Sequence, residues 1–373
     1  MALESKKIYN NKHYFGNTEF QMFKIINKLF LQVIMSFAFS TILFAEFTIG
    51  LYDIKTSSDL VNAKDAGFNC VQSYDSSPET IKILAEEAEK NEMKLVVYPD
   101  KIMKDKKFKT EAQKYPIKAW YLYDEPDVWS LPREKLISMN EKTKKMYPDM
   151  NTVFVIGEGF TEEPYYDIAD IIMVDWYPVP HLPLESFGEN VALAKQGLTM
   201  VGKEAKELWA VVQIFDWKEY KQHRKDTDRI GRFPKQEEIR FMSYDAIFNG
   251  ATGLFYFNYY SNGKPLPEAK PKEWAKVVEV VQEMSFIAEI MDKGKEIENP
   301  MEIDEPLKAK SFEYGGIKYT FIINSTSERQ TLPPLFFQPQ FDVIYEKTTN
   351  LKKIMRKSKN NFSQYRVFAF RYE

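Results

Sequence analysis

From Phe47 onward, short apolar runs alternate with amphipathic runs of helical period. The strand-like runs are Phe47–Ile54, Asn69–Asp75, Met93–Asp100, Lys118–Glu125, Asn151–Gly157, Asp170–Tyr177, Leu208–Phe215 and Gly253–Tyr260. Most are apolar without a break rather than strictly alternating, the pattern of parallel strands buried on both faces. Between them, Ser77–Asn91 sets Ile81, Leu84 and Ala88 on one side of a helix. Pro132–Met146 follows Ser130, a candidate N-cap, and Pro234–Asn249 runs into Gly250, a residue suited to C′. Lys272–Met291 supplies an eighth helix. Eight strand–helix repeats over about 245 residues fit a (β/α)8 TIM barrel. A doubly wound sheet would carry a glycine-rich loop after its first strand, and Gly50-Leu-Tyr-Asp-Ile-Lys has none.

After Pro300 the helical period stops. Lys308–Tyr314, Ile317–Asn324, Phe341–Tyr345 and Tyr365–Tyr372 are strand-like, punctuated by Gly315-Gly316 and Pro333-Pro334. The expected architecture is therefore α/β: a barrel over 46–296 and a small C-terminal antiparallel β-domain over 300–373.

The first 45 residues read differently. Met22–Lys28 is basic and Leu29–Ala45 is almost unbroken apolar, ending Leu43-Phe44-Ala45. That is the three-part layout of a secretory signal, preceded by 21 polar, patternless residues. A buried first helix, or an uncleaved anchor somewhat short for a span, is the alternative. Cleavage near Ala45 predicts a secreted or periplasmic protein. It removes five Lys and two Glu from a chain of formal charge −3, leaving −6. An acidic balance of this kind does not suit binding to a phosphate backbone, so no nucleic-acid partner is expected, and no membrane contact beyond the signal segment.

Composition narrows the chemistry. One cysteine, Cys70, excludes an intramolecular disulfide and a cysteine-based metal site. Three histidines, His13, His181 and His223, argue against a histidine-rich one. No cofactor or metal is expected, which leaves carboxylates to do the chemistry. In a barrel the working residues stand at the C-terminal ends of the strands. Read in order, those ends offer Tyr52 and Asp53, Tyr74 and Asp75, Tyr98 and Asp100, Asp124 and Glu125, and Glu158. Asp175 with Tyr177, Gln213 with Asp216, and Asn258 with Tyr259 complete the ring, and Trp129, Trp176 and Trp217 lie just past three strands. Acids for proton transfer, amides for hydroxyls and flat rings for sugar faces point to a carbohydrate site. Some of these Asp residues serve instead as helix caps.

The sharpest segment is Trp120-Tyr-Leu-Tyr-Asp124-Glu125-Pro126-Asp127, where an apolar strand ends in two acids and a proline. Here the sequence resembles the clan A-like (β/α)8 glycoside hydrolases, whose general acid is the Glu of an Asn-Glu-Pro motif ending the fourth strand; Asp124 replaces the Asn. Val174-Asp175-Trp-Tyr-Pro178, Val212-Gln213-Ile-Phe-Asp216-Trp217, Arg240-Phe-Met-Ser-Tyr244 and Asn249-Gly-Ala-Thr-Gly253-Leu-Phe-Tyr extend the likeness, toward a secreted bacterial branch, over Phe47–Met291. The resemblance implies that Glu125 is the proton donor and that an oligo- or polysaccharide is the substrate. Tyr52, Tyr74, Asp124, Trp176, Tyr177, Gln213, Trp217 and Asn258 are then expected to contact the sugar. Retaining members carry a nucleophilic Glu at the end of the seventh strand, where this chain has Gln213. Three readings follow: Asp175 or Asp216 is the second catalytic carboxylate, the nucleophile lies elsewhere, or the barrel binds glycan without cutting it.

Overall fold

The computed structural model describes residues 46–157, 165–220, 231–344, 361–362 and 364–373. The expected signal segment, Glu158 and His223 lie outside these. Phe47–Glu373 is one compact unit.

Eight parallel strands close into a barrel in sequential order. They are β1 (Thr48–Leu51), β2 (Cys70–Ser73), β3 (Lys94–Val97), β4 (Ile117–Asp124), β5 (Asn151–Ile156), β6 (Ile171–Asp175), β7 (Glu207–Gln213) and β8 (Gly253–Phe257). Around them run α1 (Ser57–Ala66), α2 (Pro78–Lys90), the short α3 (Asp100–Lys104) and α4 (Phe108–Glu111), α5 (Arg133–Met146), α6 (Ser186–Met200) and α7 (Gln236–Phe248). A small hairpin, β9 (Tyr260–Ser261) and β10 (Lys264–Pro265), then leads through α8 (Leu266–Ala269) into the long α9 (Pro271–Lys293). No helix among the described residues is long and apolar enough to cross a membrane.

The (β/α)8 expectation holds, but several strands are shorter than their apolar runs suggested. Tyr52, Tyr74, Tyr98, Glu125 and Tyr177 lie just beyond the ladders, so the apolar pattern continues into the mouth. Capping follows the local chemistry. The Ser77 side chain accepts the Thr80 amide at the start of α2, and Gly250, at φ 104°, follows α7. Ser130 does not cap α5: Pro132 occupies the N-cap, and Ser130 sits at φ 51° in the preceding turn.

The barrel has two apolar shells. The inner one stacks Trp209 on Phe255 at 5.2 Å and contains Cys70, Val96, Tyr121, Met173 and Val211. It closes over Gly50, because a Cβ there would stand 2.2 Å from the Phe255 ring. Tyr52, Tyr74, Tyr98, Tyr177 and Phe257 form its upper layer. The outer shell lies between strands and helices.

The C-terminal part is a five-stranded antiparallel sheet of β11 (Lys295–Ile297), β12 (Leu307–Tyr314), β13 (Ile317–Asn324), β15 (Asp342–Ile344) and β17 (Arg366–Tyr372), in the order β11-β12-β13-β17-β15. A separate pair joins β14 (Gln330–Thr331) to β16 (Asn361–Phe362). Alternation divides the two faces of the sheet. Tyr319, Phe321, Ile323, Val367 and Ala369 join the barrel's outer shell, while Ile322, Phe368 and Phe370 build a second core with Leu332, Phe336 and Phe341. Arg240 of α7 pins this seam. It donates to Val367 O at 2.6 Å and forks onto Glu283 of α9, which also accepts the Tyr244 hydroxyl at 2.7 Å.

Candidate active site

A defect in the β-ladder aims the acids. Between β4 and β5, Tyr121 pairs with Val153 but Asp124 pairs with Val155, so β4 holds one residue more than its partner over that stretch. In such a bulge two neighbours share a face and the strand's inside–outside phase changes. Leu122 and Tyr123 both pack into the outer shell. Asp124 turns inward, where its Oδ1 accepts the Tyr121 hydroxyl at 2.5 Å. Glu125 continues the ladder, donating its N–H to Val155 O at 3.0 Å, and then turns with φ at 50°. A non-glycine residue in that left-handed region costs roughly 1–3 kcal/mol. Gly157 makes room for Val128 in the turn after Glu125: a Cβ there would lie 2.5 Å from Val128 Cγ2, whereas the Glu125 carboxyl, at 3.6 Å, would be in ordinary contact. Asp127 ties the same turn by accepting the Gly157 amide at 3.1 Å.

Glu125 stands beside Asp175, the last residue of β6, and each carboxyl shifts the protonation of the other. Burial raises the Glu125 carboxyl above its usual range; the contact with Asp175 opposes the rise, and the charges of Asp124 and Asp127 add to it. Asp175 is 8% exposed. Burial, then the charges of Glu125 and Asp124, hold it well above the usual carboxylate range, against the Tyr177 hydroxyl, which donates to Oδ2 at 3.0 Å. Two carboxyls side by side cannot both ionise cheaply, so the pair holds its last proton to a higher pH than an isolated carboxyl does. Burial likewise raises Asp124, opposed by hydrogen bonds from Tyr121 and Tyr74. Tyr52, 3.4 Å from Tyr121 hydroxyl to hydroxyl, completes the tyrosine floor.

Other expected site residues stand elsewhere. Gln213 is fully buried; its Nε2 donates to Val179 O and Phe215 O, and its Oε1 accepts the Val179 amide at 2.9 Å. It fixes the chain after β6 and has no N–H left for a sugar. Trp176 points outward into the outer shell and donates to Ser186 Oγ at 2.9 Å, because alternation that turns Asp175 inward turns its neighbour outward. Asp216 caps a short 3-10 turn by accepting the Lys218 amide at 2.9 Å, and Asp75 braces the start of α2 by accepting the Ser77 amide and the Thr80 hydroxyl, each at 2.8 Å. Of the two candidates for a second carboxylate, Asp175 is the one beside Glu125. Trp217 packs edge-on to Tyr177 and Phe215 at the mouth. Asn258 donates to the Tyr220 hydroxyl at 2.6 Å and accepts the Tyr260 amide, which leaves it a supporting place. Tyr98, 4.9 Å from the Tyr121 ring centre, belongs to the floor although only its place at a strand end marked it. Among the described residues no group of three or more His, Cys, Asp or Glu side chains is arranged to hold a metal ion.

No family model matches the chain, and no curated protein matches it in sequence. Solved structures do match in shape. A GH30 endoxylanase from Clostridium papyrosolvens C71 superposes with a TM-score of 0.50 at 11% identity, over 88% of this chain and 97% of that one. A family 39 glycoside hydrolase from Bacteroides cellulosilyticus WH2 gives 0.50 at 11%, over 87% and 81%. Eubacterium rectale Amy13B gives 0.50 at 8%, over 88% and 96%. At such identities the likeness establishes the fold: the chain shares its (β/α)8 barrel architecture with glycoside hydrolases of more than one family.

Proposed function

We propose that the protein is a glycoside hydrolase acting on an oligo- or polysaccharide, with Glu125 delivering a proton to the glycosidic oxygen. The observation that carries this reading is the placing of Glu125, just past the end of β4, beside Asp175 at the end of β6, where burial raises both carboxyls and the Glu125 charge raises Asp175 further. Asp175, the more buried partner, stores the proton, and Glu125, half-buried beside the opening, passes it on. As the C–O bond breaks, the leaving alcohol takes that proton. The two adjacent carboxylates left behind form a strong base, which recovers a proton from the water that adds its oxygen to the anomeric carbon. Asp124, held by Tyr121 and Tyr74, stands ready to accept from a substrate hydroxyl. Glu125→Gln should lower turnover by about 10²–10⁴-fold, the usual worth of a positioned acid. Unchanged turnover would remove Glu125 from the mechanism.

One observation favours a second reading, a carbohydrate-binding barrel that does not cut. The position at the end of β7 holds Gln213, an amide committed to the backbone, so no carboxylate stands there to form a glycosyl-enzyme. Glycan affinity without release of new reducing ends would select it. The reading also includes export to the periplasm or medium, supported by the basic and apolar stretches of Met22–Ala45. N-terminal sequencing of the exported protein should begin near Glu46.

A further inference from the structure

The turn that follows β4 carries more than the acid. It closes on itself through three backbone bonds: the Trp129 amide donates to Glu125 O at 3.1 Å, the Ser130 amide to Asp127 O at 3.3 Å and the Leu131 amide to Pro126 O at 2.8 Å. Asp127 ties it to the end of β5 by accepting the Gly157 amide, and Glu125 and Ser130 hold left-handed backbones at its two ends. So many short-range bonds leave the segment one shape. A group fixed before its ligand arrives loses little freedom on binding.

Two side chains of this turn are apolar and stand in water. Trp129 is 63% exposed and Val128 51%. The indole makes no ring contact and no hydrogen bond among the described residues. Nor is exposed apolar surface spread evenly. Of the six large apolar side chains exposed among the described residues, Val128, Trp129 and Leu182 stand in the loops after β4 and β6, the strands that deliver Glu125 and Asp175. Apolar surface gathered at a polar site suits a ligand that has both characters.

Val128 fixes the relation of this surface to the acid. Its Cγ2 lies 2.5 Å, and Glu125 Oε1 3.6 Å, from one point, the place where Gly157 would bear a Cβ. A half-exposed valine and the carboxyl therefore border the same small space. An alcohol oxygen that takes the Glu125 proton brings its carbon skeleton against this turn.

Building on the glycan reading of the mouth, we infer that Trp129, with Val128 beside it, is the platform for the leaving-group sugar. The indole stacks on the C–H face of the pyranose that departs when Glu125 protonates the glycosidic oxygen. A pyranose fits because its faces are apolar while its edge carries hydroxyls, and a flat, rigid ring matches such a face at small entropic cost.

The test is calorimetric titration of cellohexaose, xylohexaose, mannohexaose and laminarihexaose into Glu125→Gln, which keeps the sugars from being consumed. The same titrations are run on double variants that add Trp129→Ala or Trp129→Phe, with thermal midpoints taken on each sample. Rates of the single variant Trp129→Ala are then compared with wild type on the hexaose that binds and on the glycosyl fluoride of the same sugar, whose leaving group covers no platform. The platform predicts binding weaker by roughly tenfold or more with Ala, most of the affinity kept with Phe, and midpoints unmoved, as fits a surface side chain. It also predicts a loss of kcat/KM at least roughly tenfold larger on the hexaose than on the fluoride. Unchanged affinity in the Ala variant would overturn the proposal, while Glu125-dependent release of reducing ends would leave the hydrolase reading standing. Equal losses on the two substrates would also overturn it, by making Trp129 a support for the Glu125 turn, as would failure of Glu125→Gln to bind any of the four. Trp129-dependent binding by a protein whose wild type releases no new reducing ends would uphold the sugar platform and end the hydrolase reading.

Discussion

Two clusters of buried charge sit in this molecule, and they are built on opposite plans. At the seam between barrel and sheet, Glu283 is fully buried but receives Arg240 and Tyr244, while the guanidinium's remaining fork reaches Val367 O. At the mouth, Glu125 and Asp175 face each other, and the groups that set their protonation are burial, one tyrosine hydroxyl and further carboxylates. The first cluster holds two packed layers together; the second holds on to protons that an exposed carboxyl would release. A buried acid supplied with donors is architecture, whereas a buried acid set against another acid is poised for chemistry.

The contrast breaks most visibly if the partners are removed. Arg240→Met strands the Glu283 charge in the interior and should cost about 3–5 kcal/mol in urea unfolding, with turnover of the remaining folded protein unchanged. Glu125→Gln should do the reverse, costing turnover and leaving stability close to wild type. Asp175→Asn sharpens the mouth's half of the comparison. It abolishes the stored proton, so turnover should fall about 10²-fold at neutral pH and the alkaline limb of the pH–rate profile should move to lower pH. Because the raised Asp175 carboxyl stabilises the fold only while protonated, the same variant should unfold later than wild type at alkaline pH.

A third buried acid lies between the two plans. Asp245 of α7 is 1% exposed, accepts Asn249 Nδ2 at 3.0 Å, and leaves Oδ2 without a donor. Burial pushes it to about 7, with Lys308 opposing. The folded chain keeps this proton up to that pH, whereas an unfolded Asp releases it near 4. Stability should therefore fall as pH rises from about 4 to 7, by at most ~1.4 kcal/mol per unit, and then level off. Asp245→Asn should flatten that slope in urea titrations run at each pH. The smallest effect belongs to Asp216→Asn, which retains a competent cap: stability within about 0.5 kcal/mol and unchanged turnover. A large loss of activity there would reinstate Asp216 as the second carboxylate.

The barrel was legible because burial on both faces writes continuous apolar runs, and because eight such runs alternate with helical period. The small sheet was legible from its turn residues and the partial alternation of Lys318–Ile323. Glu125 and Asp175 could be placed at strand ends, but their contact could not, since it depends on how β4 and β6 pack rather than on either sequence. Gln213 misled because a buried amide serves backbone and sugar equally well, and a sequence does not say which is nearer. Trp176 misled because the strand phase at Asp175 decides its direction. Tyr98 stood among the strand ends with nothing in composition to separate it from the helix-bracing Asp75 and the capping Asp216; its edge-on packing against Tyr121 is visible only in three dimensions.

The extra residue in β4 makes the strand tolerant of a change in its own length. Delete Leu122 or Tyr123 and the ladder becomes regular, with Tyr121 and Asp124 still facing inward on either side of one outward residue. Keep both residues but straighten the bulge, and Asp124 turns toward the helices. Two chains with the same Asp-Glu-Pro can therefore differ by one residue just before it and still present Asp124 to the interior, provided that the bulge comes and goes with the residue.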